Sequence, residues 1–239
     1  MTEWAARRFW TDAVAVPAPG GHEVRLDARV LRTPLKSPLV LPTRAMAEAV
    51  AAEWAAAGER IDPLAMPVTR SANAAVDKVA TQKEEVAALL AEYGATDLLC
   101  YRAEGPPPLV ERQRAEWDPL LDWARDAHGA MLRTTVGVMP AAQDPDALAR
   151  LRAPLDAADP FELTALHDLI ALSGSLVIGL AVSDGAWTAE DTWRRSRLDE
   201  IWQAEQWGED AEAAAFAERR RGEFLHAARF LDLSRAGGT

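Results

Sequence analysis

Histidine and serine supply much of the acid–base and metal chemistry of proteins, and this 239-residue chain holds few of them at useful spacings. None of its four histidines stands at metal-ligand spacing from another, so the sequence contains no zinc motif of the H-E-x-x-H kind. Adjacent residues on a helix do not face each other, and we therefore expect His167 and Asp168 not to form an acid–base pair. The sequence predicts no metal or cofactor site.

Candidate nucleophiles are also sparse. The chain lacks G-x-S-x-G and the two common phosphate-binding loops, G-x-x-x-x-G-K-[ST] and G-x-G-x-x-G. Ser173-Gly174-Ser175 falls inside an apolar helical pattern at 160–182, where small residues favour close packing. Cys100 lies among apolar residues and is predicted to be buried. The sequence therefore predicts no catalytic residue.

Carboxylates are abundant, and they leave an alternative open. Asp97, Glu200 and Glu205 could line the acidic cleft of a small-molecule enzyme, which a bound metal or a deep pocket would reveal. Asp199-Glu200 and the acidic run at 209–212 could bind a divalent cation, but acidic runs on helices more often form solvated faces. The enzyme hypothesis therefore remains an alternative.

The stretch 187–208 contains four of the nine tryptophans and reads as one helix. Thr188 and Asp191 resemble a capping box, and Gly208 stands where the helix would stop. At 100° per residue, two apolar stripes form, and charged residues interrupt both. One stripe contains Leu198, Ile201 and Trp202, and the other contains Trp193, Ala204 and Trp207. A surface helix needs only one stripe. We therefore expect this helix to be buried between neighbours, with a partner-binding face as the alternative.

Charge and composition limit the classes of partner. The chain has 26 basic and 37 acidic residues, a net charge of −11, which disfavours nucleic acids and anionic membrane surfaces. Its first ten residues lack the apolar segment of a secretory signal, and its most apolar window, 169–182, is too short to span a bilayer. A single cysteine excludes an internal disulfide. We therefore expect a soluble protein of a reducing cytoplasm.

The pattern of elements predicts an α+β fold. Before residue 42, β-branched residues and turn signals predict short antiparallel strands at 9–16, 24–26, 29–33 and 39–41. Thr43 is expected to cap a helix that packs on this small sheet. Helical patterns follow at 69–79, 81–93, 109–117, 120–127, 145–157, 160–182 and 209–231. Residues 1–80 are thus predicted to form a small α/β N-terminal domain, and 81–235 a larger all-α C-terminal domain.

Four stretches of the sequence carry a resemblance to a known family. The first is V-R-L-D-A-R followed by R-T-P, within 24–34, and the second runs from Glu53-Trp54 through Ile61-Asp62-Pro63 to Asp77. The third is T-D-L-L-C-Y-R at 96–102, leading to W-D-P-L-L at 117–121, and the fourth is R-L-D-E at 197–200 with W-G at 207–208. Together they resemble the F-type ATP synthase assembly chaperones that bind the F1 alpha subunit, the mitochondrial F1 complex assembly factor 2 type and its bacterial relatives.

The resemblance implies a bacterial molecular chaperone with no catalytic activity, cofactor or metal. Such a protein binds the unassembled alpha subunit and shields its interface until beta subunits replace it, acting as a monomer in the cytoplasm. A general holdase without a fixed client is a further alternative. As a hypothesis, we assign the contact to residues that combine aromatic area with charge. These residues are Arg197, Glu200, Trp202 and Trp207.

Two departures from the family pattern matter. Ala28 stands where the family usually has glycine, so the turn after Asp27 could have a different conformation from that of the family. Ala211 and Ala214 occupy the places of an acidic residue and a histidine that follow W-G in eukaryotic members. A binding role of that pair does not carry over to this chain. In this chain, only Glu209, Asp210 or Glu212 could take the place of that acidic–histidine pair, and only approximately.

Overall fold

The computed structural model describes residues 7–237 and begins with an antiparallel sheet of order β1-β2-β3. Its strands are β1 (Ala13–Ala18), β2 (Gly21–Leu26) and β3 (Arg29–Val30). Ala18 lies opposite Gly21, and Gly20 in the turn between them has a φ of 82°, a value that favours glycine. The predicted sheet is confirmed. Residues 1–6, part of the segment for which no secretory signal is predicted, lie outside the described residues.

Asp27 lies in the turn between β2 and β3 and also determines where β1 begins. Its carboxylate accepts hydrogen bonds from the backbone N–H groups of Thr11 (3.0 Å) and Asp12 (2.9 Å). These N–H groups are thereby withdrawn from strand pairing. The strand predicted at 9–16 is therefore present, but its predicted start is wrong, because β1 begins only at Ala13. The left-handed position is Asp27, with a φ of 52°, and not Ala28, so the turn accommodates alanine without strain.

The segment around Leu41 pairs with β2 at one bridge, where His22 and Leu41 exchange two backbone hydrogen bonds of 2.9 and 2.8 Å. Pro38 and Pro42 flank this segment and have no N–H group with which to extend the pairing. The predicted strand at 39–41 is therefore wrong, although Leu39 and Leu41 are buried. The strand predicted at 29–33 is likewise reduced to β3.

Helix α1 (Arg44–Ala56) packs on the sheet, as predicted. The Thr43 hydroxyl oxygen accepts a hydrogen bond from the N–H of Met46 (3.1 Å), which confirms the predicted cap. The same hydroxyl donates to the carbonyl of Leu233 (2.5 Å). Met46 and Val50 are fully buried. A local capping signal and a buried stripe therefore determine this helix together.

The next helices are α2 (Pro67–Asp77), α3 (Lys83–Ala91), α4 (Pro107–His128) and α5 (Pro145–Ala157). Two-residue strands β4 (Tyr101–Arg102) and β5 (Thr135–Val136) pair in parallel. Helix α4 continues through Pro119, so the predicted separation of two helices there is wrong. Proline removes one backbone hydrogen bond. Residues on both sides of it are buried, however, and this packing holds the helix together; they are Trp117, Leu120 and Ala124.

The helix predicted at 160–182 is two helices, α6 (Pro160–Ser173) and α7 (Leu176–Ser183). Gly174 interrupts it with a φ of 73°, and the Ser175 hydroxyl oxygen accepts a hydrogen bond from the N–H of Ile178 (3.0 Å). The residues predicted to allow close packing within a helix thus form a junction between helices. Helices α8 (Ala189–Ser196), α9 (Leu198–Trp207) and α10 (Ala211–Arg235) complete the fold.

The described residues divide into two compact units. The first contains the chain through Lys83, Asp159–Ala165 and α10 from Arg229 onward, and the second contains Glu84–Ala158 and Leu166–Ala228. The predicted α+β class, a small antiparallel sheet with a helix followed by a mostly helical part, is confirmed. The predicted domain boundary at residue 80 remains a prediction. Within residues 7–237, no helix has both the length and the apolarity needed to cross a membrane.

Candidate partner-binding surface

The stretch 187–208, predicted to be one helix, contains two helices separated by Arg197, which has φ −107° and ψ 18°. The hydroxyl of Ser196 donates to the carbonyl of Trp193 (2.7 Å), and the N–H of Arg197 donates to the carbonyl of Arg194 (3.2 Å). These bonds span three residues instead of four, which tightens the last turn of α8 and ends it. The single-helix prediction is therefore wrong. One predicted stripe is divided, with Trp193 in α8 and both Ala204 and Trp207 in α9, whereas the other stripe, Leu198, Ile201 and Trp202, lies entirely in α9.

Helix α8 is anchored to two neighbouring helices of the second unit. Trp193 is buried, and its ring centroid lies 5.4 Å from that of Phe224 on α10. The indole N–H of Trp117 on α4 donates to the carbonyl of Arg195 (2.9 Å). The expectation of a helix buried between neighbours is therefore met by α8.

Ionic contacts reinforce α8. Glu116 on α4 pairs with Arg194 (2.9 Å) and Arg195 (2.7 Å), and Asp191 pairs with the same arginines (3.2 and 3.1 Å). Partial burial raises the pKa of Asp191, but the hydrogen bonds from Arg195 and Arg194 outweigh it and hold that pKa below its ordinary value. The Thr188 hydroxyl oxygen accepts a hydrogen bond from the N–H of Asp191 (3.2 Å), which confirms the predicted cap.

Helix α9 differs from α8 because most of it is exposed. Leu198 is its buried residue, while Ile201 and Trp202 are half-buried. Trp207, at the end of the helix, is 79% exposed. The expectation of burial therefore fails for α9. An exposed tryptophan on a well-anchored element is typical of a contact surface, because water contact with so large an apolar ring is unfavourable.

Polar contacts fix the beginning of α9. The side-chain amide of Gln113, a buried residue of α4, donates to the carboxylate of Asp199 (2.8 Å). Arg197 pairs with Glu200 (2.8 Å), and its guanidinium carbon lies 5.8 Å from the ring centroid of Trp193. The charged end of α9 is therefore held in one orientation, which lowers the entropy cost of binding a partner there.

A groove of about 670 Å³ lies among α8, α9 and α10. Its residues include Trp193, Arg197, Ile201, Ala214, Ala217 and Arg221. Across it, Arg221 pairs with Glu190 on α8 (2.5 Å), and within α10 it also pairs with Glu218 (2.8 Å). Sequence reasoning missed the contribution of α10, although the alanines three positions apart are a signal for a smooth helix face. We call this feature the α8–α10 groove.

The four predicted contact residues lie on or next to one helix. Arg197 lines the α8–α10 groove and pairs with Glu200, whereas Glu200, Trp202 and Trp207 are outside its lining. Because α9 has ten residues, its two ends lie about 15 Å apart. We refer to Arg197, Glu200, Trp202 and Trp207 as the α9 surface, in which Trp202 lies about 140° around the helix axis from Trp207. It combines an ion pair at one end with an exposed ring at the other.

The structure does not assemble the acidic cleft of the enzyme hypothesis. Asp97 is fully buried, and burial raises its pKa to about 6 despite hydrogen bonds that lower it. Glu200 and Glu205 are exposed, and Glu205 pairs with Arg112 (2.6 Å). Asp210 accepts hydrogen bonds from the N–H groups at the start of α10. Across residues 7–237, no three His, Cys, Asp or Glu side chains are grouped as metal ligands.

Cys100 and His167 are the remaining side chains with reactive groups named in the sequence analysis. Cys100 is buried, as predicted, and burial raises its pKa to about 12, so the thiol stays protonated. The Nδ1 atom of His167 lies 2.9 Å from a carboxylate oxygen of Asp168, so the prediction that these neighbours do not meet is wrong. The contact lies on the exposed side of α6. The hydrogen bond raises the pKa of His167 above its ordinary value.

Comparisons with known proteins place this chain among described relatives. A sequence model described as ATP12 chaperone protein matches residues 7–125. The crystal structure of Atp12 from Paracoccus denitrificans is 53% identical over 98% of this chain and 100% of its own, with a TM-score of 0.95. A point mutant of that protein is 52% identical with the same coverage and TM-score. Atu1473 from Agrobacterium tumefaciens is 40% identical over 96% of this chain and 85% of its own, with a TM-score of 0.89.

Proposed function

Because this chain belongs to the ATP12 chaperone family, we propose that it assists assembly of the F1 sector of ATP synthase by binding the unassembled alpha subunit. The observation that carries this proposal is the similarity to Atp12 along nearly the whole chain. The chaperone covers the interface of the alpha subunit until beta subunits replace it.

The physical need for such a protein lies in the client. A subunit that is designed for burial between neighbours exposes a large apolar patch while it is alone, and such patches aggregate. A typical interface covers on the order of 800 Å² of each partner, which is enough to keep the patch from water. Masking of this kind involves no covalent chemistry. The proposal therefore includes no catalytic step, cofactor or metal.

The α9 surface is suited to temporary masking. The ring of Trp207 supplies apolar area, and Trp202 adds a half-buried ring on the same helix. The Arg197–Glu200 pair supplies charges that orient the client without contributing much affinity. Modest affinity is required, because beta subunits must displace the chaperone. We therefore assign the client contact to the α9 surface, and we infer that a monomer acts in the bacterial cytoplasm.

Aggregation of the client tests the proposal. Purified alpha subunit is diluted from denaturant with and without an equimolar amount of the full chain, and light scattering is followed. We expect suppressed scattering, and release of the chaperone from alpha on addition of beta subunits, monitored by size-exclusion chromatography. Citrate synthase serves as a matched unrelated client. Equal protection of both clients would support a general holdase instead, and unchanged scattering of the alpha subunit would contradict the proposal.

A further inference from the structure

A second groove, of about 490 Å³, lies entirely within the first unit. It runs between α1, α2 and two loops, and it uses much of the second sequence stretch that carries the family resemblance. Its apolar lining includes Pro34, Leu35, Trp54, Ile61, Pro63 and Met66. Leu35 is 71% exposed, so part of this lining is open to water. We call this feature the Trp54 groove.

Two buried polar atoms at the Trp54 groove lack hydrogen-bond partners. The indole N–H of Trp54 is a donor and the side-chain carbonyl oxygen of Asn73 is an acceptor, and both are shielded from water. The rest of Trp54 is firmly held, since its carbonyl accepts a hydrogen bond from the indole N–H of Trp10 (3.1 Å) and the two rings lie 5.0 Å apart. Buried groups of this kind are destabilising until they are paired.

The charge at the rim of the groove is opposite to that of the molecule. Arg70 and Lys78 are exposed groove residues, and neither forms an ion pair within residues 7–237. The carboxylate of Asp77 is occupied by the hydroxyl of Thr33 (2.7 Å) and the N–H of Leu35 (3.2 Å). In a chain of net charge −11, two free cations beside an apolar groove favour a ligand that carries carboxylates.

We propose that the Trp54 groove binds an extended polypeptide segment that combines apolar side chains with acidic ones. An extended main chain that inserts between the side chains covering these two atoms offers both a carbonyl for the indole N–H of Trp54 and an N–H for the Asn73 oxygen. The apolar side chains cover Leu35 and Ile61, and carboxylates reach Arg70 and Lys78. A fatty acid matches the apolar lining and the cations but has no N–H group for Asn73, so a peptide fits better. The assignment of this segment to the client rests on the proposed function.

The indole N–H resonance of Trp54 provides a direct test. The probe is an acetylated and amidated hexapeptide of alternating valine and glutamate, added to the full chain labelled with nitrogen-15. A Trp54→Phe variant identifies the resonance among those of the other tryptophans. We expect a downfield shift that saturates, because the N–H gains an acceptor. The same peptide with lysine in place of glutamate should bind more weakly.

Two exposed leucines of the first unit provide a matched pair of substitutions for measuring the affinity of the groove for the peptide. Leu35→Ser, within the groove, should weaken binding of the peptide about tenfold, because roughly the transfer energy of one partly buried leucine is lost. Leu64, which is 77% exposed, lies outside the lining, and Leu64→Ser should leave the affinity unchanged. Equal effects of both substitutions, or a shift with octanoate but not with the peptide, would overturn the proposal.

The two proposals fail separately. If Leu35→Ser abolishes peptide binding but the chain never protects the alpha subunit, the groove stands and the proposed client is wrong. If the chain protects the alpha subunit but the Trp54 resonance does not shift when the peptide is added, the groove assignment is wrong and the α9 surface is unaffected.

Discussion

The carboxylate of Asp97 accepts a 2.7 Å hydrogen bond from the hydroxyl of Ser175, which lies 78 positions later in the chain. It also accepts hydrogen bonds from the N–H groups of Leu99 and Val177, both of 3.0 Å. One buried side chain thus accepts hydrogen bonds from backbone N–H groups that would otherwise be unpaired, both at the start of the turn at 98–100 and at the start of α7. The acidic residue of the T-D-L-L-C-Y-R string therefore serves the fold, which explains why it is absent from any open cleft.

Replacement of Asp97 should destabilise the second unit. Asp97→Asn keeps the shape but leaves one oxygen for three donors, so we expect a loss of roughly 1–3 kcal/mol in the free energy of unfolding at pH 7. Urea unfolding followed by circular dichroism measures this loss. Asp156→Asn, at a half-exposed carboxylate paired with Arg152, is the control and should cost less than about 0.5 kcal/mol. Equal losses in the two variants would contradict the capping role.

The stability of the protein should depend on pH through the same residue. Burial raises the pKa of Asp97 from 3.8 to about 6, so the folded state binds this proton more tightly than the unfolded chain. The associated stabilisation is complete below pH 3.8 and is lost as the pH rises through 6, amounting to about 3 kcal/mol at most. The difference in free energy of unfolding between wild type and Asp97→Asn should therefore be smaller at about pH 7 than at about pH 4.5. Urea titrations at the two pH values measure this difference. A constant difference would argue against the raised pKa.

Charge reversal on α9 should weaken client binding without unfolding the chaperone. Glu200→Lys places a cation beside Arg197, and we expect at least about a fivefold loss of affinity for the alpha subunit. Glu48→Lys is a matched control, because Glu48 is 54% exposed in an ion pair with Arg44, as Glu200 is 52% exposed in a pair with Arg197. Both variants change the net charge equally. Normal capture by a folded Glu200→Lys variant would remove Glu200 from the α9 surface.

Removal of the exposed ring should act through contact area. Trp207→Ser should reduce affinity for the alpha subunit by roughly tenfold or more, since tryptophan truncation at a contact typically costs at least 1–2 kcal/mol. It should leave the unfolding midpoint nearly unchanged, because the ring is 79% exposed. Val138→Ser, at a position 87% exposed, is the control for a general loss of apolar surface. Titration calorimetry and thermal unfolding together distinguish binding from folding effects.

Two glycines of the second unit should respond oppositely to alanine. A methyl group on Gly179 in α7 would overlap with Cγ1 of Ile170, so Gly179→Ala should lower the free energy of unfolding by about 1–3 kcal/mol. Gly222 in α10 has open space around its Cα, and Gly222→Ala should raise that free energy by about 0.5–1 kcal/mol. Urea unfolding of both variants checks the signs. A stable Gly179→Ala protein would show that α6 and α7 pack less closely than the structure indicates.

Local signals in the sequence were sufficient for the starts of α1 and α8, but not for those of α7 and α9, which were predicted to lie inside longer helices. The caps predicted at Thr43 and Thr188 are both present, because a cap depends only on groups about three residues apart. Alternation and the Gly20 turn likewise predicted the first hairpin. The family resemblance also followed from sequence, since it depends on residue identities and their order.

The continuity of helices and the exposure of their faces depended on tertiary structure. The break before α7 is stabilised by Asp97, a distant residue, and α4 passes through Pro119 because buried neighbours on both sides hold it. Periodicity gave the stretch 187–208 two apolar stripes, but a periodic pattern contains no information on which face of a helix contacts a neighbour. Contacts with α4 and α10 bury Trp193 and leave Trp207 in solvent. Burial depends on tertiary contacts between residues that are distant in the chain, and local sequence patterns do not specify those contacts.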